Sequence, residues 1–328
     1  MPSSRAAVRA APPPPALAAA VPGLSRLRRA TAGDPRVLVA LLDGPADLRH
    51  PDLAGGRVTC RGDVAPCGGA AGLAHGTFVA SVVAGAQGIA PGCRALVLPV
   101  YATALDGGLV RCAQRDLARA LLLARDAGAA IVNVSGGELA APGARADPTL
   151  AAAVRACAAA GVLVVAAAGN DGCDCVHLPA ALPGVLAVGA MDGGARPAPL
   201  SNWGAAYRAS GLLAPGVRIP GASPGGGRTA RSGTSAAAAV VSGLAALLVS
   251  LQLTLGRAPD PLAVRDALLA TAAGCDAAPA VDCRHLLAGR LNVEAALQTL
   301  SQGGRQRMSS NGRIAIETEN APDAPTQP

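Results

Sequence analysis

Four polar side chains sit beside apolar runs, where a parallel sheet and its helices would bring them to one rim. Asp43 follows Val37-Leu38-Val39-Ala40-Leu41-Leu42, and Asn170 follows the run from Val162 to Gly169. His75-Gly76-Thr77 opens an apolar helical stretch from Phe78 to Gly85, and Gly233-Thr234-Ser235 opens another. A carboxylate, an imidazole and a hydroxyl in that chain order can make an acyl-transfer triad. The imidazole takes the proton of the hydroxyl, and the carboxylate fixes the tautomer and stabilises the imidazolium. Asn170 would add a side-chain donor for an oxyanion, beside the Ser235 backbone amide at a helix N-terminus. Singly, each residue has an ordinary structural role: a strand-end Asp or a pre-helix Ser caps a helix, and a lone His is packed or solvated. Only the joint pattern points to chemistry.

Holding four groups on one rim requires strands that end together. The run from Val37 to Leu42, and those at Leu96 to Tyr101, Ile131 to Val134, Val162 to Ala168 and Val185 to Val188, read as parallel strands buried on both faces. Helical patterns lie between them. Ala113, Leu117, Ala120, Leu121 and Ala124 share one face with Arg115, Arg119 and Asp126 opposite. Pro148 to Ala159 stops at Gly161, and Asp260-Pro261 supplies a cap and first turn for a later helix. This alternation predicts an α/β fold with a doubly wound, mainly parallel sheet, whose crevice lies beyond the carboxyl ends of the strands. Ala236 to Leu255 nearly reaches membrane-spanning length, but Ser242, Gly243, Ser250, Gln252 and Thr254 interrupt it and predict a buried helix instead.

Composition narrows the class. Hydrophobic residues make up 51% of the 328 positions and aromatics 1%, so the core must be built from Ala, Val and Leu. The net charge of +7 comes from Arg alone, because no Lys occurs. Those arginines are interspersed with acids and lack aromatic platforms, which argues against a nucleic-acid surface. Cys173, Cys175 and His177 could offer three soft ligands, but the spacing is tight and no fourth is evident, so loop shaping is expected, with no metal and no other cofactor. Cys275 and Cys283 could close a small disulfide loop or stand as thiols. His50 and His285 read as surface residues. Arg61-Gly62-Asp63 reads as coincidence, and Gly225-Gly226-Gly227-Arg228 lacks the ending of a phosphate loop. Residues 1–34 form an Ala/Pro-rich tail, 35–300 the structured domain, and 301–328 a polar tail with Pro322, Pro325 and Pro328. The Pro12 to Pro15 run breaks the apolar segment that a secretory signal needs, so neither export nor a membrane is expected.

Leu41-Leu42-Asp43-Gly44 with His50-Pro51-Asp52-Leu53, His75-Gly76-Thr77-Phe78-Val79-Ala80, Ala168-Gly169-Asn170 and Ser232-Gly233-Thr234-Ser235-Ala236-Ala237 resemble the four signature blocks of subtilisin-like peptidases. The likeness runs from about Pro22 to Leu300. Gly88-Ile89-Ala90-Pro91-Gly92-Cys93-Arg94, Asn133-Val134-Ser135-Gly136-Gly137, Gly172-Cys173-Asp174-Cys175-Val176-His177 and Asp282-Cys283-Arg284 are similar to the cyanobactin-maturation subtilases of PatA/PatG type. The resemblance implies a subtilisin-like three-layer α/β sandwich and a serine endopeptidase. It implies Asp43, His75 and Ser235 as the triad, Asn170 in the oxyanion hole, and Ser135-Gly136-Gly137 as the edge that binds an extended substrate. Ala239 stands where the family usually has Pro. The 32-residue step from Asp43 to His75 leaves no room for the helical insertion of the macrocyclising branch. The resemblance therefore favours the cleaving branch, which removes the leader of a ribosomally made precursor peptide. The roughly 34 residues ahead of the first strand cannot hold a long inhibitory propeptide, which points to an intracellular, cytoplasmic processing enzyme; a monomer acting on a peptide or protein substrate is expected. Two other readings stand beside it: a macrocyclase that resolves the acyl enzyme with an amine, and a peptide-binding scaffold without catalysis.

Overall fold

The computed structural model describes residues 12–310 except 63–68, 104–108, 111, 142–144 and 276–281. In chain order the elements are α1 (Pro15–Ala20), α2 (Leu24–Ala30), β1 (Leu38–Asp43), β2 (Val58–Cys60), α3 (Ala70–Ala84), β3 (Arg94–Pro99), β4 (Ala102–Thr103), β5 (Leu109–Val110), α4 (Gln114–Asp126), β6 (Ile131–Val134), β7 (Glu138–Leu139), α5 (Pro148–Ala159), β8 (Leu163–Ala167), β9 (His177–Leu178), β10 (Val185–Met191), β11 (Gly211–Pro215), β12 (Ile219–Ser223), β13 (Gly227–Arg231), α6 (Thr234–Thr254), α7 (Pro261–Ala270) and α8 (Val293–Ser310). Seven strands form the central sheet in the order β11-β10-β8-β6-β1-β3-β2. Every neighbouring pair in it is parallel. This is the subtilisin-like α/β sandwich that the sequence implies.

The unbroken apolar strands follow from burial on both faces. Along β1, Val39 and Leu41 join the core beneath α3 and α6, while Leu38, Ala40 and Leu42 join the opposite core against α4 and α5. The two-residue pleat thus sorts one continuous apolar run into two cores. The α6 helix is long and apolar enough to cross a membrane, yet 94% of its most apolar window is buried inside the protein. Its polar interruptions are satisfied: the Ser242 hydroxyl donates to Asn133 Oδ1 at 2.9 Å and that of Ser250 to the Ala246 carbonyl at 2.7 Å. Gly243 lets α6 press on Ile89, whose Cβ would be 2.8 Å from any added Cβ. Ala239 is buried and lies within the helix.

Several sequence expectations are corrected here. Packing begins before residue 34, because Leu17, Val21, Leu24 and Leu27 are buried in the α6-side core. The averaged Ala, Pro and Arg content hid this near-helical spacing of large apolar residues. Arg28 anchors the same segment, donating through Nη1 to the Gly88 and Ile89 carbonyls at 2.8 and 3.2 Å. At the other end α8 continues past residue 300, with Ala296 and Leu297 buried; residues 1–11 and 311–328 lie outside the described residues. His50 is buried instead of exposed: its Nε2 donates to the Gly227 carbonyl at 2.9 Å and its Nδ1 accepts the Asp52 amide at 3.0 Å. A lone His in a loop gave no signal of that clamp.

Candidate active site

Asp43 is the last residue of β1 and is fully buried. Its Oδ1 accepts the Gly44 amide at 2.6 Å and the Nδ1–H of His75 at 2.6 Å. His75 lies in the second turn of α3. The Asp-Gly and His-Gly pairs have a steric origin. A Cβ at Gly76 would collide with the Gly44 and Pro45 carbonyls, and one at Gly44 with the Gly72 carbonyl. Only glycine lets α3 approach the end of β1 closely enough for that 2.6 Å contact.

Burial presses most strongly on His75 and disfavours its charged form. The Asp43 charge and hydrogen bond together outweigh that penalty, and the net pKa lies above the ordinary imidazole value of 6.5. The Arg231 charge pulls in the lowering direction. Ser235 is the second residue of α6, and its hydroxyl donates to the Ser135 carbonyl at 2.6 Å. His75 and Ser235 line the same cavity of about 450 Å³. A nucleophile-to-base hydrogen bond often tightens only when substrate is in place.

Asn170 follows β8 and is oriented from its oxygen end. Its Oδ1 accepts both the backbone amide and the hydroxyl of Thr234, at 2.8 and 2.9 Å. The amide nitrogen is left to donate into the cleft, which it lines together with Ser235. Gly169 has a left-handed φ of 103°, and a Cβ there would collide with Asn202 Nδ2, so the turn that aims Asn170 requires glycine. Beside it, Asn133 Nδ2 donates to the Ser135 hydroxyl at 2.6 Å and Asn133 Oδ1 accepts from Ser242, tying the Ser135 edge to α6. Ser135, Gly136 and Gly137 line the cleft with Asn170. Any side chain on Gly137 would collide with the Leu178 carbonyl, and one on Gly136 would meet the Tyr101 hydroxyl at 2.7 Å.

A histidine held from behind by a buried carboxylate, a serine at a helix start and an amide donor now face one cleft. The subtilase-family model matches residues 34–308. The chain belongs to the subtilase family. It is 34% identical over 188 residues to a thermophilic serine proteinase of Bacillus sp. (strain AK1), a match covering 53% of this chain and 43% of that protein. The chain thus spans less than half the length of that curated relative. Among solved structures, the prenylagaramide maturation protease PagA superposes with a TM-score of 0.78 at 45% identity, covering 85% of this chain and 99% of that one. The PatG macrocyclase in complex with peptide gives a TM-score of 0.78 at 30% identity, with 85% and 96% covered.

Sequence reasoning missed other residues of this subtilase cleft. Tyr101, read only as the end of an apolar run, lines it with a buried hydroxyl that has no hydrogen-bond partner. Burial, with Cys112 and Asp43 nearby, raises its pKa well above the ordinary tyrosine range. His177, weighed above as a metal ligand, sits in β9 within 2.9 Å of where a Cβ on Gly137 or Gly169 would be. Cys173 and Cys175 are joined to each other as a disulfide, as are Cys275 and Cys283. Among the described residues no cluster of three His, Cys, Asp or Glu side chains could hold a metal. Phe78 and Arg231 also line the cleft. The apolar helical stretch could flag Phe78 as core but gave no hint that it borders the site.

Proposed function

We propose that this subtilase is a serine endopeptidase that removes the leader segment of a ribosomally made precursor peptide. The reading is carried by the shared cleft of His75, Ser235 and Asn170, with Asp43 buried behind His75 and the Ser135-Gly136-Gly137 edge alongside. Neutral His75 takes the Ser235 proton as Oγ attacks the scissile carbonyl, and His75 then gives it to the leaving amine. Asp43 holds the imidazole through Nδ1 and stabilises its cation. Asn170 Nδ2 and the Ser235 amide receive the oxyanion, and water resolves the acyl enzyme. An extended peptide pairs with the Ser135 to Gly137 backbone. All four groups come from one chain, so a monomer suffices.

The leader-removing role takes support from the likeness to a protein described as a maturation protease, at 45% identity. Ring closure, suggested by the likeness to the PatG macrocyclase, requires water to be kept from the acyl ester while an amine attacks. Among the described residues between Asp43 and α3, only the short β2 and turns occur, with no helix to cover the cleft. That favours hydrolysis. Precursors of this kind are made on cytoplasmic ribosomes, so we place the reaction there. The test is to incubate enzyme and precursor and weigh the products. Linear fragments sharing one added water are expected, and a dominant ring lacking that mass, resistant to aminopeptidase, would move the chain to the macrocyclising branch. A peptide that binds but is returned intact would instead support the non-catalytic scaffold.

A further inference from the structure

We propose that Arg231 selects a carboxylate on the leaving-group side of the scissile bond; the inference rests on the endopeptidase reading above. Arg231 ends β13, four residues before Ser235, and lines the cleft. Its guanidinium carbon lies 5.8 Å from the centre of the Phe78 ring. Phe78 follows His75 by three residues on α3, so the two share a helix face. Arg231 therefore stands on the His75 side of Ser235. That is the side of the departing peptide, because His75 must hand its proton to the leaving amine. The acyl part of the substrate lies along the opposite rim, at Ser135 to Gly137 and Asn170. The Arg231 charge is near enough to act on the His75 proton, which agrees with this placement.

The electrostatics around Arg231 are incomplete. Its Nε is buried and has no hydrogen-bond partner, and no carboxylate of the described residues pairs with the guanidinium. The neighbouring acids are committed elsewhere. Asp43 holds His75, Asp52 faces Arg228 at 3.5 Å, and Asp171 accepts from Asn202 Nδ2 at 3.0 Å. A half-buried guanidinium with unmet donors is costly, and a carboxylate matches its planar fork better than any other peptide group. The Phe78 ring lies beneath the guanidinium and offers no acceptor in the plane of its N–H groups. A substrate carboxylate would supply the missing acceptor. It can come from an acidic side chain one or two residues beyond the scissile bond, or from the free C-terminus of a short leaving segment.

The test uses internally quenched peptides with one acyl-side sequence. The first and second residues after the bond are varied among Asp, Asn and Lys with the C-terminus amidated, and a further pair ends two residues beyond the bond as acid or amide. Hydrolysis by the wild type, Arg231→Gln and Arg231→Glu is read as kcat/KM, each preparation normalised by fluorophosphonate titration of Ser235. For one carboxylate source we expect the wild type to favour the acid over its amide by about 10-fold, the scale of one partly exposed charge-assisted hydrogen bond. The ratio should fall to about 1 in Arg231→Gln, and Arg231→Glu should favour Lys. The internal Asp arms and the terminal-acid arm tell the two sources apart. An acid-to-amide ratio near 1 for every source in the wild type, or one that persists in Arg231→Gln, would overturn the proposal and leave Arg231 as packing on Phe78. Should Arg231→Gln fail to titrate, the wild-type ratio decides: a fall with rising salt supports the pairing and salt independence sinks it. A wild type that titrates but hydrolyses no peptide would overturn both readings, whereas hydrolysis without acid preference overturns only this one.

Discussion

Replacing Asn170 separates its proposed catalytic role from its structural one. In Asn170→Ala the cleft loses the Nδ2 donor, and Thr234 loses the acceptor of its backbone amide and hydroxyl, bonds of 2.8 and 2.9 Å. Losing one oxyanion donor lowers kcat by about 100- to 1000-fold, or roughly 2.7–4 kcal/mol, a range that itself comes from a subtilisin asparagine and so transfers by homology. The Michaelis constant should barely move, because the donor meets full negative charge only in the transition state. Stability is a separate quantity. Thr234 is fully buried, but Asn170 is exposed, so water can replace part of its side chain. That places the folding cost at about 1 kcal/mol, the low end for an orphaned buried donor. Asn170→Asp keeps both acceptor contacts and puts a carboxylate where the donor stood. It should melt close to the wild type while losing at least as much turnover as Asn170→Ala. Steady-state kinetics on a fluorogenic peptide, paired with thermal melts, measure both quantities. Turnover in Asn170→Ala within about threefold of the wild type would refute the oxyanion assignment, and a kcat loss that merely tracks lost folded protein would reduce Asn170 to a cap on Thr234.

The remaining expectations concern the triad. Ser235→Ala should abolish both hydrolysis and fluorophosphonate labelling while the melting temperature holds, because Oγ makes only the bond to the Ser135 carbonyl; equal labelling of mutant and wild type would remove Ser235 as nucleophile. Activity requires neutral His75, and its pKa is raised above 6.5 by Asp43 against the opposing effect of burial. The acid limb of kcat/KM should therefore rise with pH through a midpoint above 6.5. A flat profile from about pH 5 to 8 would exclude His75 as the base. Because Arg231 lowers that pKa, Arg231→Gln should carry the limb to higher pH.

The motif blocks were legible in sequence because catalysis and backbone sterics dictate residue types at fixed local spacing. Gly44 and Gly76 could be read as part of the blocks, and the structure supplies the reason: carbonyl oxygens occupy the space a Cβ would need. The parallel sheet was equally legible, since strands buried on both faces must be apolar throughout, as β1 is. The α1 and α2 segment was not, because Leu17, Val21, Leu24 and Leu27 are buried by distant elements, with α1 against β12 and α2 against α6 and α8, and an Ala- and Pro-rich average hid them. His50 looked exposed for a similar reason: its partner is the Gly227 carbonyl, 177 residues away. Sequence by itself determined which side chains could do the chemistry and the sheet that would carry them. Tertiary structure alone decided what surrounds them. Tyr101, His177 and Arg231 border the cleft through contacts between distant segments, and no local periodicity encodes which loop faces which.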